Sequence, residues 1–183
     1  MLPAIFLDRD GVIIENCPSY VRRWEDVTFF PQALQALKWV SALPYKVILI
    51  TNQSAVGRGL ITLETARSIN ARLVEAVAAA GGRIDAVYLC PHDPLENCDC
   101  RKPKPGLILQ AVRDHAIDLH SSHLIGDAWT DLIAGQAAGL SSVSLVRTGR
   151  GASQLLSLPP LHLHSFHLFA DLAEALERLI PET

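Results

Sequence analysis

Asp8 and Asp10 stand one residue apart, directly after an apolar run and directly before Gly11, in the stretch Ile5-Phe6-Leu7-Asp8-Arg9-Asp10-Gly11. Two carboxylates this close repel each other, and a cation, or a proton on one of them, relieves the repulsion. Hard oxygen donors of this kind suit magnesium. Further along, Thr51-Asn52-Gln53-Ser54 brings hydroxyls and amides, Arg101-Lys102 brings two cations, and Gly126-Asp127 with Asp131 brings two more acids. Singly, each has a dull explanation as a turn, a cap or a surface charge. Together they supply carboxylates for a metal, donors for phosphate oxygens and a cation. Phosphoryl transfer needs that set, because its demands are positioning and neutralising spread-out negative charge. A G-x-x-x-x-G-K-[ST] loop is missing, which disfavours a P-loop nucleotide enzyme.

A second constellation is Cys90-Pro91-His92, five residues, then Cys98-Asp99-Cys100. Three thiols and an imidazole packed into eleven residues point to a metal rather than to disulfides. Four such ligands complete a tetrahedral structural zinc site with no open position. Cys100 adjoins Arg101-Lys102, so a loop folded on zinc would fix those cations. Cys17 is left as a free thiol. His162, His164 and His167 read as alternation along a strand or its flank rather than as a second metal site. Trp24, Trp39 and Trp129 are scattered, which suits packing better than base stacking.

These groups need elements to hold them. The run ending at Leu7 is too short for a helix and fits a buried strand of a parallel sheet, which carries its chemistry beyond the strand's carboxyl end. Lys46 to Ile50 is a second such strand. Ala86 to Leu89, His123 to Ile125 and Val143 to Val146 are further strands, and a last one lies near Leu161 to Phe166. Between them, apolar residues at helical spacing predict helices after Pro31, after Thr62, after Pro105, over Asp131 to Ala138 and over Asp171 to Ile180. Glu15 to Phe30 and Gly149 to Pro160 read as irregular loops. Strands alternating with helices imply an α/β fold, a doubly wound parallel sheet with helices on both faces.

With 183 residues the chain suits one domain over 1–183, with the zinc loop at about 90–100 and no segment for a large cap domain. Apolar residues make up 49% and charged ones 19%, consistent with a filled core. A net charge of −3 excludes a strong basic field, so nucleic acid is not expected as a partner. No apolar stretch reaches membrane-spanning length, and Asp8 interrupts the first apolar run without a basic region before it. The expectation is a cytoplasmic monomer, with its thiols in a reducing compartment.

Asp8-Arg9-Asp10-Gly11, Thr51-Asn52, Lys102 and Gly126-Asp127 resemble, in order, the four motifs of the haloacid dehalogenase-like (HAD) phosphatases, over nearly the whole chain. The resemblance implies a Rossmann-like sheet with the first strand central, in an order such as 5-4-1-2-3. It implies that Asp8 attacks phosphorus and becomes an aspartyl phosphate, and that Asp10 protonates the leaving oxygen and later takes a proton from water. Magnesium would be held by Asp8, the Asp10 backbone carbonyl and Asp127, with Asp131 steadying the site from behind. Thr51, the Asn52 amide and Lys102 would hold the phosphoryl oxygens. Lys104 competes with Lys102 for the cation role, and the Arg-Lys-Pro signature favours Lys102.

The zinc loop and Cys-Arg-Lys-Pro signature are similar to the branch holding the heptose bisphosphate phosphatases and the histidinol-phosphate phosphatases. Thr51-Asn52-Gln53-Ser54 followed by Gly57-Arg58-Gly59 resembles the heptose enzymes, whereas the short zinc loop is closer to the histidinol type. Ala128 departs from the lysine that some heptose enzymes carry there. A phosphorylated small-molecule substrate would then meet Asn16, Ser19, Tyr20, Gln53, Ser54 and Arg101, with Arg58 reaching a second phosphate. Two other classes compete. A phosphate-accepting receiver carries its aspartate after an internal strand of the chain, unlike Asp8. A zinc-bearing interaction protein without catalysis has no need for the intact acid and lysine set.

Overall fold

Alternate residues of the first strand serve opposite layers, and this organises the molecule. In β1 (Ala4–Leu7), Ile5 and Leu7 join one buried apolar cluster, while Ala4 and Phe6 join another. The computed structural model describes residues 1–180. After β1 the chain runs through α1 (Pro31–Val40), β2 (Lys46–Asn52), the single turn α2 (Ser54–Gly57) and α3 (Leu63–Ala79). It continues as β3 (Ala86–Cys90), α4 (Gly106–His115), β4 (His123–Gly126) and α5 (Trp129–Ala138). It ends with β5 (Ser142–Val146), the short α6 (Gly151–Gln154), β6 (His167–Phe169) and α7 (Leu172–Leu179).

The helices begin and end for local reasons. Pro31 opens α1 with its φ already set, and the Thr62 hydroxyl accepts from Thr65 N at 3.0 Å to cap α3. The Asp171 carboxylate caps α7 in the same way, and Gly139 closes α5 in the left-handed region that costs glycine little. Leu37 and Val40 of α1, Leu73 and Val77 of α3, and Leu172 and Leu176 of α7 fill the layer on one face of the sheet. Leu107 and Ile108 of α4 and Trp129, Leu132 and Ala134 of α5 fill the other.

All six strands pair in parallel, in the order β3-β2-β1-β4-β5-β6. This is the expected order with one strand added at the β5 edge. Strand β1 is central, and the chain turns from it first toward β2 and later, from α4, back to β4. Such a reversal leaves a crevice beyond the carboxyl ends of the strands. The last strand differs from expectation: residues 161–166 are turn and irregular chain, and β6 starts at His167. His162 and His164 therefore lie outside any strand, and His167 stacks on Phe169 with ring centroids 5.9 Å apart.

The loop over residues 15–30 is more ordered than its composition indicates. Ile14 and Phe29 form an antiparallel bridge, and Glu15 N donates to Thr28 O at 2.8 Å. The intervening segment is thereby folded back beside the tip of β1. No separate cap stands over the sheet among the described residues, and no helix of the described chain is long and apolar enough to cross a membrane.

Candidate active site

Asp8 is fixed by the sheet itself, since its N–H donates to Ile125 O of β4 at 3.1 Å. Its carboxylate meets the Lys102 ammonium at 2.8 Å, and the same ammonium lies 2.7 Å from Asp131 and donates to Ile50 O at 3.0 Å. All three charged groups are buried. Burial opposes the Lys102 charge, but Asp131 and Asp8 outweigh it and hold the ammonium above its ordinary range. Burial pushes the Asp8 carboxyl up and Lys102 pulls it down. The charges of Asp131, Asp127 and Asp10 add to the rise, which reaches about 7.

Lys102 is also clamped through its backbone. The Asn52 side chain donates to Lys102 O at 3.1 Å and accepts from Lys102 N at 3.2 Å. Lys104 points elsewhere, to Asn97 O and the exposed Asp99 carboxylate. Of the two lysines, Lys102 and not Lys104 is thus the one brought to the strand-end carboxylates.

Asp127, fully buried at the end of β4, packs against two glycines. Gly11 (φ +85°) and Gly149 (φ +59°) are both left-handed, and a Cβ on either would collide with Asp127 Oδ2. That oxygen accepts from Asn16 Nδ2 at 2.9 Å, from Arg150 N at 2.8 Å and from Arg150 Nε at 3.2 Å. Oδ1 accepts from Arg150 Nη2 at 2.8 Å. Carboxylate oxygens of Asp8, Asp127 and Asp131 all lie within 4.8 Å of one another. An all-oxygen, acidic set of this kind fits magnesium. Asp131 is already committed, its Oδ2 accepting from Ala128 N at 3.0 Å and its Oδ1 facing Lys102. Asp8 Oδ2 and Asp127 Oδ1, by contrast, face only the Arg150 guanidinium, at 4.0 and 2.8 Å, which makes Asp8 and Asp127 the side chains with an oxygen nearest to free for the ion.

Asp10 is gripped from the other side. The Arg9 guanidinium donates Nε to Oδ2 at 3.0 Å and Nη2 to Oδ1 at 3.1 Å, and its Nη1 donates to Asn70 Oδ1 of α3 at 2.9 Å. The Arg9 side chain is only 2% exposed, so this fork is a fixed part of the site.

A cavity of about 530 Å³ opens above these groups. Of the residues expected to meet substrate, Asn16, Tyr20, Asn52, Gln53, Ser54 and Arg101 line it. Ser19 is exposed and off the cavity wall, its carbonyl accepting from Arg22. Arg58 is not brought to the site: it pairs with Asp93 at 3.1 Å, on the flank of the cysteine loop. Thr51 is wholly buried beside the cavity, its hydroxyl accepting from Gln53 Nε2 at 2.8 Å. Arg9 and Arg150 are cavity residues that motif reading passed over. A signal for Arg150 existed: Thr148-Gly149-Arg150 follows the carboxyl end of β5, the same edge of the sheet that holds the acids.

The four predicted metal ligands come together as one group. His92 Nδ1 lies 3.6 Å from Cys90 Sγ and 3.3 Å from Cys100 Sγ, and Cys98 Sγ lies 3.5 Å from Cys90 and 3.4 Å from Cys100. These short separations close a ring, and all four ligand atoms lie within 4.8 Å of one another, near enough to share one structural metal ion. The loop reaches the cavity through Arg101, whose Nη1 donates to His92 O at 3.3 Å and to Ser54 Oγ at 3.1 Å.

Sheet order, strand-end acids and buried lysine together define an HAD-like hydrolase, and residues 99–175 match the HAD-hydrolase-like family model. A D-glycero-beta-D-manno-heptose-1,7-bisphosphate 7-phosphatase from Bordetella bronchiseptica is 36% identical over 183 residues, covering 99% of both chains. Its counterpart from Helicobacter pylori is 45% identical over 133 residues, 72% of this chain and 76% of that one. The crystal structure of the D,D-heptose 1,7-bisphosphate phosphatase from B. bronchiseptica, complexed with magnesium and phosphate, superposes with a TM-score of 0.88 at 33% identity, covering 98% of each chain. The chain belongs to the family of D-glycero-β-D-manno-heptose-1,7-bisphosphate 7-phosphatases.

Proposed function

We propose that the chain hydrolyses D-glycero-β-D-manno-heptose 1,7-bisphosphate at its 7-phosphate, with magnesium in the site. The observation that carries this reading is the end-to-end likeness to the Bordetella enzyme in sequence and in backbone. The site chemistry agrees with it.

In this reading Asp8 attacks phosphorus as the bond to the sugar oxygen breaks, forming an aspartyl phosphate. Asp10 gives its proton to the departing oxygen, then takes one from the water that attacks the phosphoenzyme, releasing orthophosphate. Lys102 and the Thr51 hydroxyl hold phosphoryl oxygens, and Asn52 acts by clamping Lys102. Asp8, Asp127 and the Asp10 carbonyl are the proposed magnesium ligands, and Asp131 fixes Lys102 from behind. Bound there, magnesium supplies positive charge against the phosphoryl oxygens.

Zinc is the proposed occupant of Cys90, His92, Cys98 and Cys100, in a structural role.

Phosphate release from heptose 1,7-bisphosphate and from histidinol phosphate, with and without magnesium, tests the proposal. The expected result is magnesium-dependent turnover with far higher kcat/KM for the heptose. A reversed ratio would move the chain to the histidinol-phosphate branch.

A further inference from the structure

The Arg150 guanidinium sits between the two carboxylates best placed to hold magnesium. Its Nη2 is 2.8 Å from Asp127 Oδ1 and 4.0 Å from Asp8 Oδ2. An arginine and a divalent cation cannot share that position, since both need the same lone pairs and repel each other. We propose that Arg150 is a displaceable cation that yields these carboxylates to magnesium and then holds the second phosphate of the substrate, an assignment that rests on the bisphosphatase reading.

Three observations support it. First, Asp127 does not need the guanidinium to stay in place. Its Oδ2 is held separately by Asn16 Nδ2 and by the Arg150 backbone N–H, so only the side chain has to leave, freeing Oδ1. Second, the charges match. Asp8, Asp10, Asp127 and Asp131 face Arg9, Lys102 and Arg150. With the Arg150 side chain withdrawn, Asp127 Oδ1 loses its ion-pair partner and Asp8 Oδ2 the cation on that side, so another positive ion must take its place.

Third, the other cations of the cavity are engaged. Arg9 grips Asp10 and Asn70, Lys102 is buried between Asp8 and Asp131, and Arg101 is tied to Ser54 and the His92 carbonyl. Arg58 is off the wall altogether. A substrate with one phosphate at Asp8 and another at the rim needs a further cation there. The Arg150 side chain lines the cavity, is 54% exposed, and loses little by turning outward once a metal takes its place.

The test uses Arg150→Met, which keeps most of the side-chain length, and Arg150→Lys. Isothermal calorimetry with magnesium chloride alone should show the Met variant binding magnesium at least roughly two- to fivefold more tightly than wild type, the lower bound set by what a surface ion pair contributes, since Asp127 is buried. Kinetics should show the preference for heptose 1,7-bisphosphate over the 7-monophosphate falling roughly ten- to hundredfold, through KM more than kcat, with Lys restoring part of it. Unchanged or weaker magnesium binding in the Met variant would overturn the proposal, and so would an undiminished preference. Calorimetry needs no substrate, so its failure is separate from a failure of the functional reading, which would appear as no cleavage of the bisphosphate by wild type.

Discussion

Asp8 is a buried carboxyl with three other acids nearby and one ammonium against it. Asp8→Asn keeps the shape and removes the attacking oxygen's charge, so turnover should fall on the order of 10⁴-fold or more. Asp10→Asn should lose proton transfer, roughly 10²–10⁴-fold. Without magnesium, Asp8 also links stability to pH. Its folded value of about 7 lies above the ordinary 3.8, so between those values the native state binds more proton than the unfolded chain. This contribution is favourable at low pH and is lost as pH rises toward 7. The melting temperature of Asp8→Asn minus that of wild type should therefore become more positive between about pH 4 and pH 7 and level off above. A difference independent of pH would show that Asp8 is ionised throughout. Arg9→Lys tests the grip on Asp10. Lysine cannot reproduce the two-pronged contact, so kcat should drop roughly tenfold or more while KM changes little.

The loop from Cys90 to Lys102 links the Cys/His cluster to the site, but not through Lys102 alone. Asn52, Asp8 and Asp131 hold Lys102 independently of the cluster, whereas Arg101 leans directly on the His92 carbonyl. Cys98→Ser should lower zinc content from about one per chain, with far-ultraviolet circular dichroism unchanged. KM should rise more than kcat falls, because Arg101 is loosened before Lys102 is. Full activity at zero zinc content would show that the loop does not position substrate. Most elements were legible because their cause is local: the apolar pattern of Ile5 to Leu7, Pro31 opening a helix, Thr62 capping one. The β6 boundary was not, since the apolar residues of 161–166 look as strand-like as His167–Phe169, and only pairing with Ser144 to Val146 selects the latter.

The whole molecule brings to one crevice groups that are far apart in the chain, and this is where motif reading reached its limit. It named Asp8, Asp10, Asp127 and Asp131 at or near strand ends and Lys102 from the Arg-Lys-Pro signature, and the fold brings these residues together. It offered Arg58 for a second phosphate, whereas Asp93 of the adjoining cysteine loop pairs with that side chain. It left Arg150 in a loop, although its place just after β5 put it at the acidic edge of the sheet, because the contact with Asp127 itself is visible only in the fold. The central claim is the position of cleavage, and phosphorus NMR of the products from heptose 1,7-bisphosphate tests it most directly. With magnesium present, the 7-phosphate resonance should disappear into orthophosphate while the anomeric 1-phosphate persists. Loss of the 1-phosphate first, or no release with magnesium present, would contradict the account.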